Sequence, residues 1–290
     1  MAQSGMVARA LEEKHASLAV ELVPIVTTGD VLKGDLAQHG GKGLFTRELE
    51  SGLLDGSLDL AVHSLKDLPV SLPEGLMVCA YPERADPRDV LVSEDAEDLD
   101  GLPEGAVVLT GSLRRRAQIL MRRPDLRVEP VRGNVDTRLR KWRQNGAGGV
   151  ILAGAGLLRL GLEGFPVHPI PTDILIPAPG QGTLALEVRA EGTACELCKV
   201  LDNQDSARAA AAERRVVAAF GGDCTLPLAA WARPDGPNGG LRLTALLATP
   251  DGRHAARGEA VGERPEEVAK ACIAALREDR ADAVLARIRG

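Results

Sequence analysis

Residues 106–121, AVVLTGSLRRRAQILM, contain the pattern that decides the fold class. The apolar run Ala106–Leu109 predicts a buried strand, and the residues after Ser112 predict a helix that continues through Met121. A short polar turn, TGS, separates the two elements. A strand that passes through such a turn directly into a helix is the repeating unit of α/β folds.

The same strand-to-helix pattern occurs twice more along the chain. One unit runs from Leu126–Val131 through RGN to a helix ending at Arg143, and the next runs from Gly149–Ala153 through GAG to a short helix ending at Leu160. Strands that alternate with helices predict parallel βαβ units. Because open parallel sheets bind ligands beyond the carboxyl ends of their strands, we expect the three turns to line a binding cleft.

Patterns on both sides of these units predict the remaining elements. On the N-terminal side they predict a helix at Phe45–Leu54, with Thr46 as a candidate cap, and strands at Leu18–Val26, Leu58–Val62 and Leu76–Tyr81. On the C-terminal side, five prolines in Pro166–Pro179 predict a return crossing. The elements predicted beyond it are strands at Leu184–Val188, Leu226–Ala232, Leu241–Ala248 and His254–Ala260, and helices at Ala207–Phe220 and Glu266–Arg277.

These elements predict an α/β protein with two lobes, built on parallel-rich mixed sheets, and a small C-terminal α+β domain. The first lobe comprises residues 1–82 and 183–200, and the second comprises residues 88–176. The C-terminal domain comprises residues 204–290. A polar, proline-flanked stretch at 83–87 and a proline-rich stretch at 177–182 are the predicted hinge crossings between the lobes.

The composition argues against several classes of protein. The 290 residues are 44% apolar but only 2% aromatic, which predicts two or three domains with aliphatic cores. A net charge of −6 argues against a protein that coats nucleic acid. The longest apolar run, Ile151–Leu158, is far shorter than the roughly 20 residues that span a bilayer, and Met1–Lys14 lacks a secretory signal. We therefore expect a cytoplasmic protein without a membrane or nucleic-acid partner.

Positive charge is concentrated in one segment, Ser112–Arg143. Ten arginines and one lysine stand there against three acidic residues, so the segment carries +8 and the remainder of the chain −14. Arg114, Arg115 and Arg132 fall at the predicted strand ends, where helix N-termini also attract anions. An arginine-rich cleft suits carboxylate or phosphate ligands. The alternative is a solvated, salt-bridged helix face.

Two motifs could carry chemistry at this cleft. Lys66-Asp67 follows a predicted strand, where the carboxylate could stabilise a cation and transfer protons, although such neighbours are most often a surface ion pair. Cys224 lies on a glycine-rich loop, GGDC, and is either an exposed nucleophile or a buried structural thiol.

Other reactive residues show weaker patterns. Five scattered cysteines do not form a disulfide framework, and Cys195-x-x-Cys198 lies on a predicted helix without a second pair, so we assign it a structural role. The five histidines show no ligand spacing, and we predict no metal site. Residues 40–43, GGKG, lack the Walker A pattern and predict a mobile loop.

Several stretches together resemble the porphobilinogen deaminase, or hydroxymethylbilane synthase, family. The combination of VHSLKDLP, SLRR, RGN-x-x-TRL and the glycine-loop cysteine is highly specific. The matching stretches are collinear and cover most of residues 20–232: GGKGLFTRELE (40–50), LDLAVHSLKDLP (58–69), DPRDVLVS (86–93), TGSLRRRAQI (110–119), RGNVDTRLRK (132–141), ILAGAGLLRLGL (151–162), PAPGQGTLALEVR (177–189) and AERRVVAAFGGDCTLPLAA (212–230).

The resemblance implies a fold, a cofactor and a reaction. The two lobes would resemble periplasmic binding proteins, and Cys224 would carry a dipyrromethane cofactor through a thioether. The enzyme, expected to be a monomer, would join four porphobilinogen units through oligopyrrole intermediates, losing ammonia at each step, to give hydroxymethylbilane.

The resemblance also implies roles for individual residues. Asp67 would hydrogen-bond pyrrole N–H groups and stabilise the azafulvene cation left when ammonia departs. Acetate and propionate groups would bind a polar and basic set: Ser64, Lys66, Arg114, Arg115, Arg132, Arg138 and Arg159. Thr110, Ser112 and Gln181 would line the same cleft, and Phe45 would lie near the incoming ring.

The sequence departs from the family pattern at three places. The family's first strand and its Arg-x-Ser motif are not found before Gln3, so we expect a weakened first lobe that lacks this strand. Gly111 replaces a serine, and Asp223 precedes Cys224 where glycine is expected. Two alternatives to an active enzyme follow: a two-lobed carboxylate-binding module without turnover, or a truncated, catalytically impaired homologue.

Overall fold

The structure of the protein is a computed structural model that describes residues 1–27, 46–162, 164–221, 226–237 and 239–290. Within these residues the strands are β1 (Ala61–Ser64), β2 (Leu76–Ala80), β3 (Asp89–Val92), β4 (Val107–Leu109), β5 (Arg127–Glu129), β6 (Gly149–Ala153), β7 (Val167–Pro169), β8 (Leu184–Arg189), β9 (Leu228–Asp235), β10 (Gly240–Ala248) and β11 (Ala255–Gly262). The helices are α1 (Ala2–Lys14), α2 (Arg47–Asp55), α3 (Leu113–Arg122), α4 (Val135–Asn145), α5 (Gly154–Leu160), α6 (Ala194–Cys198), α7 (Gln204–Ala219), α8 (Pro265–Glu278) and α9 (Ala281–Arg289), with 3-10 turns at Leu65–Asp67 and Lys199–Leu201.

The second lobe is a five-stranded sheet with the order β5-β4-β6-β3-β7. Strand β4 pairs in parallel with β5 and β6, so the three predicted strand-to-helix units are confirmed. Strand β3 runs antiparallel to β6 and β7, which makes the sheet mixed. Apolar clusters cover the sheet, one around Trp142 and Val150 and another around Ile119 and Ile151.

The first lobe is a smaller sheet with the order β1-β8-β2, and both of its pairs are antiparallel. Helices α1 and α6 pack on it around Leu11, Leu186 and Cys198. Cys195 and Cys198 are buried in this core, in agreement with the structural role expected for them. Among the described residues of the two lobes, the parallel pairs therefore lie in the five-stranded sheet.

The C-terminal domain is an antiparallel sheet, β11-β10-β9, covered by α7, α8 and α9. Its core is aliphatic, with Leu243 and Leu247 of β10 packed against Val216 and Leu276. This confirms the predicted α+β domain that follows two α/β lobes. In the part of the chain that the structure describes, every helix is too short or too polar to cross a membrane.

Some predicted elements differ from the structure. The strand predicted at Leu18–Val26 is wrong: no described strand pairs with this segment, and Val23 and Val26 are 46% and 71% exposed. Apolar content alone does not make a strand, because each backbone group also needs a ladder partner. Within the predicted return crossing Pro166–Pro179, residues Val167–Pro169 instead form β7.

The two crossings between the lobes lie side by side. Ala85 N donates to Gly182 O at 3.2 Å, and Arg84 Nε donates to Gln181 O at 2.8 Å. Glu213 of α7 accepts from Arg84 Nη1 at 2.6 Å and from Gly180 N at 2.5 Å. Helix α7 of the C-terminal domain is thereby attached to both crossings.

Candidate active site

A tight turn follows β1 at the junction of the lobes. The 3-10 turn Leu65–Asp67 is anchored by Leu65, which is buried and whose N–H donates to Thr183 O at 3.0 Å. Gly180 lies against this turn with φ +76°, and a Cβ there would come within 2.7 Å of Leu65 Cγ and 2.9 Å of Lys66 N. The return crossing at 177–182 can approach the turn this closely because residue 180 is glycine.

A buried pair supports the strand that leads into the turn. His63 of β1 and Glu187 of β8 lie 2.7 Å apart, and both side chains are buried. Burial of a carboxylate is costly unless it is paired, so this contact stabilises the β1–β8 pairing next to Ser64.

Four of the predicted residues line one cavity between the lobes. Ser64 and Lys66 come from the first lobe, Arg159 from α5 of the second, and Gln181 from the return crossing. The cavity has a volume of about 40 Å³, comparable with the share of one water molecule in the liquid, ~30 Å³.

Polar contacts hold the walls of this cavity. Gln3 of α1 donates from Nε2 to Ser64 Oγ at 2.8 Å, and Arg159 donates from Nη2 to Gly182 O at 2.6 Å. Burial lowers the pKa of Arg159. Gln3 also lines the cavity, a contact that the sequence analysis did not predict.

Arg114 and Arg115 are both buried and both bind Asp89. Arg114 Nη2 donates to Asp89 Oδ2 at 2.8 Å, and Arg115 Nε donates to Asp89 Oδ1 at 3.0 Å. Gln181 Nε2 donates to the same Oδ1 at 2.9 Å. Burial raises the pKa of the Asp89 carboxyl, but the two guanidinium groups outweigh it and the net pKa is lowered.

Positive charges lie near the exposed end of the turn. The pKa of half-buried Lys66 is lowered, first by burial and then by Arg115 and Arg114, against the opposing effect of Asp67. The pKa of Arg138 is lowered by burial and by Arg115, again opposed by Asp67. Asp67 is thus a carboxylate set among cations, and its side chain is exposed.

The remaining predicted residues are distributed around the second lobe. Thr110 Oγ1 accepts from Ser112 N at 3.2 Å, and Ser112 caps α3 by accepting from Arg115 N at 3.4 Å. Arg132 is exposed at the start of the loop before α4. Phe45 and Cys224 lie outside the described residues, as do Gly40–Gly43.

Part of the basic segment is neutralised at the surface. Arg123 pairs with Asp125 at 2.7 Å, and Arg122 pairs with Asp100. For these residues the alternative of a salt-bridged helix face is correct, and the charge that faces the cavity is smaller than the +8 counted along the chain.

Two buried carboxylates that contact the crossings were not predicted from the sequence. Asp89 and Glu213 are each 0% exposed, and each binds groups from more than one part of the chain. Asp89 stands in DPRD, a run with the composition of a surface turn. Its one available signal was the apolar strand VLV that follows directly.

Comparison with known proteins gives matches over most of the chain. Residues 1–196 match the family model described as "Porphobilinogen deaminase, dipyromethane cofactor binding domain", and residues 207–278 match "Porphobilinogen deaminase, C-terminal domain". The porphobilinogen deaminase of Rubrobacter xylanophilus is 48% identical over 96% of this chain and 90% of that protein. That of Brevibacillus brevis is 44% identical over 92% of this chain and 87% of that protein.

Among solved structures, an ancestral cationic amino acid solute binding protein is similar with a TM-score of 0.42 and 15% identity, over 69% of this chain and 77% of that protein. This likeness is too weak to support an inference. The family models and the close relatives, in contrast, together match both the lobes and the C-terminal domain. The chain belongs to the porphobilinogen deaminase family.

Proposed function

We propose that this protein joins four porphobilinogen units, losing ammonia at each step, to form hydroxymethylbilane for tetrapyrrole biosynthesis. The family and its close relatives support this transferase activity. The observation that carries the proposal in this chain is the turn Leu65–Asp67, which sets one carboxylate among Lys66 and Arg138 beside the cavity between the lobes.

The cofactor of the family is a dipyrromethane, and the residues at the cavity suit it. Gln181 Oε1 lies at the cavity, is buried without a hydrogen-bond partner among the described residues, and is an acceptor that fits a pyrrole N–H. Arg114 does not line the cavity but binds Asp89 together with Gln181, and its buried Nε, also without a partner among the described residues, is a donor that fits a carboxylate. When bound, the dipyrromethane supplies the primer to which the substrate units are joined. We propose that the Cys224 thiol attaches it through a thioether, since a thiolate is a strong nucleophile towards a carbocation equivalent.

Asp67 provides the negative charge that the reaction needs. When ammonia leaves porphobilinogen, the remaining azafulvene is cationic, and a fixed carboxylate nearby lowers the free energy of that state. We assign to the same carboxylate the acceptance of hydrogen bonds from pyrrole N–H groups. Its position at the exposed end of a turn anchored by Leu65 keeps it fixed yet accessible.

The basic side chains bind the substrate's carboxylates. Every pyrrole carries an acetate and a propionate, so the growing chain is a polyanion and charge-assisted contacts hold it through the cycle. We assign this binding to Ser64, Lys66, Arg114, Arg115, Arg132, Arg138 and Arg159, with Thr110, Ser112, Gln181 and Phe45 lining the cleft.

We further propose that the protein acts as a cytoplasmic monomer without nucleic-acid or membrane partners, and that its lobes move about crossings 83–87 and 177–182. The hydrogen bonds between Arg84 and Gln181 and between Ala85 and Gly182 support a shared hinge. Light scattering of the purified protein near 30.5 kDa supports the monomer, whereas a mass of twice that value contradicts it.

Turnover of an Asp67→Ala variant tests the role of this carboxylate. We expect the rate of porphobilinogen consumption to fall by about a hundredfold or more, as for the loss of one preorganised charge-stabilising group. Asp59→Ala is the matched control, since Asp59 lies in the same lobe and pairs with Arg189 at the surface. Turnover of Asp67→Ala close to that of wild type would refute the assignment.

A further inference from the structure

The carboxylate of Asp89 lies at the meeting point of three elements. Asp89 begins β3 directly after the crossing 83–87, and its three side-chain donors come from the first turn of α3 and from the return crossing. Gln181 also donates from Nε2 to Pro87 O at 2.7 Å. One anion therefore joins both crossings to the basic helix.

Asp89 also determines the orientation of two guanidinium groups. Arg114 is held at its other end by Nη1 donating to Ile176 O at 2.6 Å, and Arg115 by Nη1 donating to Ile151 O at 3.0 Å. Each guanidinium group thus has two acceptors in fixed positions, and one of the two is the charged carboxylate of Asp89. Because the direction of a guanidinium decides which carboxylate oxygens it can reach, this arrangement presets the ligand geometry.

The charge balance around Asp89 also favours binding of an anion. Two arginines share one carboxylate, so the buried group keeps a surplus positive charge beside Lys66. Without Asp89, the two guanidinium groups would repel each other and turn apart. Asp89 neutralises one of the two guanidinium charges and leaves the other available to attract an anion.

We propose that Asp89 is a positioning residue for the condensation, which holds Arg114, Arg115 and Gln181 in the orientation that binds the acetate and propionate groups. The inference rests on the proposed function. Asp89 touches neither substrate nor cofactor and acts through the arginines and the glutamine.

Two variants of Asp89 separate this role from a general stabilising one. Asp89→Asn keeps the shape and removes the charge, and Asp89→Glu keeps the charge and displaces the carboxylate by one methylene. In the same lobe, Asp125 accepts from Arg123 Nε at 2.8 Å and Nη2 at 2.7 Å at the surface, so Asp125→Asn is the matched control. For each holoenzyme we would measure KM, kcat per cofactor-loaded chain, the loaded fraction by intact mass, and the unfolding temperature.

We expect both Asp89 variants to raise KM for porphobilinogen by about tenfold or more, because small misplacements of binding groups have effects of this size. The loaded fraction should fall as well, while kcat per loaded chain stays within about threefold. Asp125→Asn should match wild type in all of these.

Other results would contradict the inference or the proposed function. Variants that unfold at lower temperature but keep the wild-type KM and loaded fraction would make Asp89 a structural residue and overturn the inference. Failure of both variants to fold would overturn it too. A wild-type protein that carries no adduct and consumes no porphobilinogen would instead refute the proposed function.

Discussion

Two carboxylates at the lobe junction lie in opposite surroundings. Asp67 is exposed, as its proposed contact with a cationic intermediate requires, whereas Asp89 is buried and bound to two arginines. Their surroundings decide the difference, because a carboxylate with no access to water is stable only when cations and hydrogen bonds replace its hydration.

Acid unfolding reports on Asp89. Its pKa is lower in the folded state than the ordinary value of 3.8, so its stabilising contribution is complete above that pH and is lost as the pH falls towards the folded-state pKa. We expect the free energy of unfolding of wild type to fall more steeply below pH 3.8 than that of Asp89→Asn. Urea titrations between pH 2 and 6 measure this, and parallel pH profiles would contradict it.

The family motifs predicted part of the cavity lining but not the buried carboxylate beside it. Ser64, Lys66, Arg159 and Gln181, predicted from family motifs, do line one cavity. The burial of Asp89 was not predicted, because an acidic residue next to Pro87 and Arg88 has the pattern of an exposed turn. Burial of that acid follows from the packing of β3 between β6 and β7, which no local pattern contains.

At the scale of elements, strong local patterns predicted the structure well. The strands and helices from Val107 to Leu160 follow the predicted strand-to-helix units closely, because apolar runs and glycine-containing turns act together there. The strand predicted at Leu18–Val26 failed and β3 was missed, since strand formation depends on partners distant in sequence.

The cap of α4 gives a test at this scale. Asn134 accepts from Thr137 N at 2.9 Å and begins the helix that carries Arg138. Asn134→Ala should lower the free energy of unfolding by about 1 kcal/mol. Asn134→Ser should retain most of the stabilisation, because serine also caps helices. Chemical denaturation compares the two, and equal stability of the alanine and serine variants would show that the cap contributes nothing.

At the scale of the whole molecule, one carboxylate connects the C-terminal domain to both crossings between the lobes. Glu213 accepts from Arg84 and Gly180 of the two crossings and from Ala232 N of β9 at 2.7 Å. Helix α7, which carries Glu213, ends at Ala219, five residues before Cys224 in the sequence. This contact therefore sets where the domain that bears the cysteine attaches to the lobes.

Glu213→Gln tests this connection. Removing the charge leaves Arg84 unpaired in a mostly buried site, which should lower the free energy of unfolding by about 3–5 kcal/mol. Glu266→Gln is the control, because Glu266 forms a surface ion pair with Arg215, which lies on α7 like Glu213. Calorimetry should show a lower unfolding temperature for Glu213→Gln and an unchanged one for Glu266→Gln; equal temperatures would contradict the connection.

The intact mass of the purified wild-type protein and of Cys224→Ser tests the central claim most directly. We predict that wild type exceeds its sequence mass by a two-pyrrole adduct, that the adduct grows by further pyrrole units when porphobilinogen is added, and that Cys224→Ser carries none. A wild-type mass equal to the sequence mass, unchanged by porphobilinogen, would contradict the account.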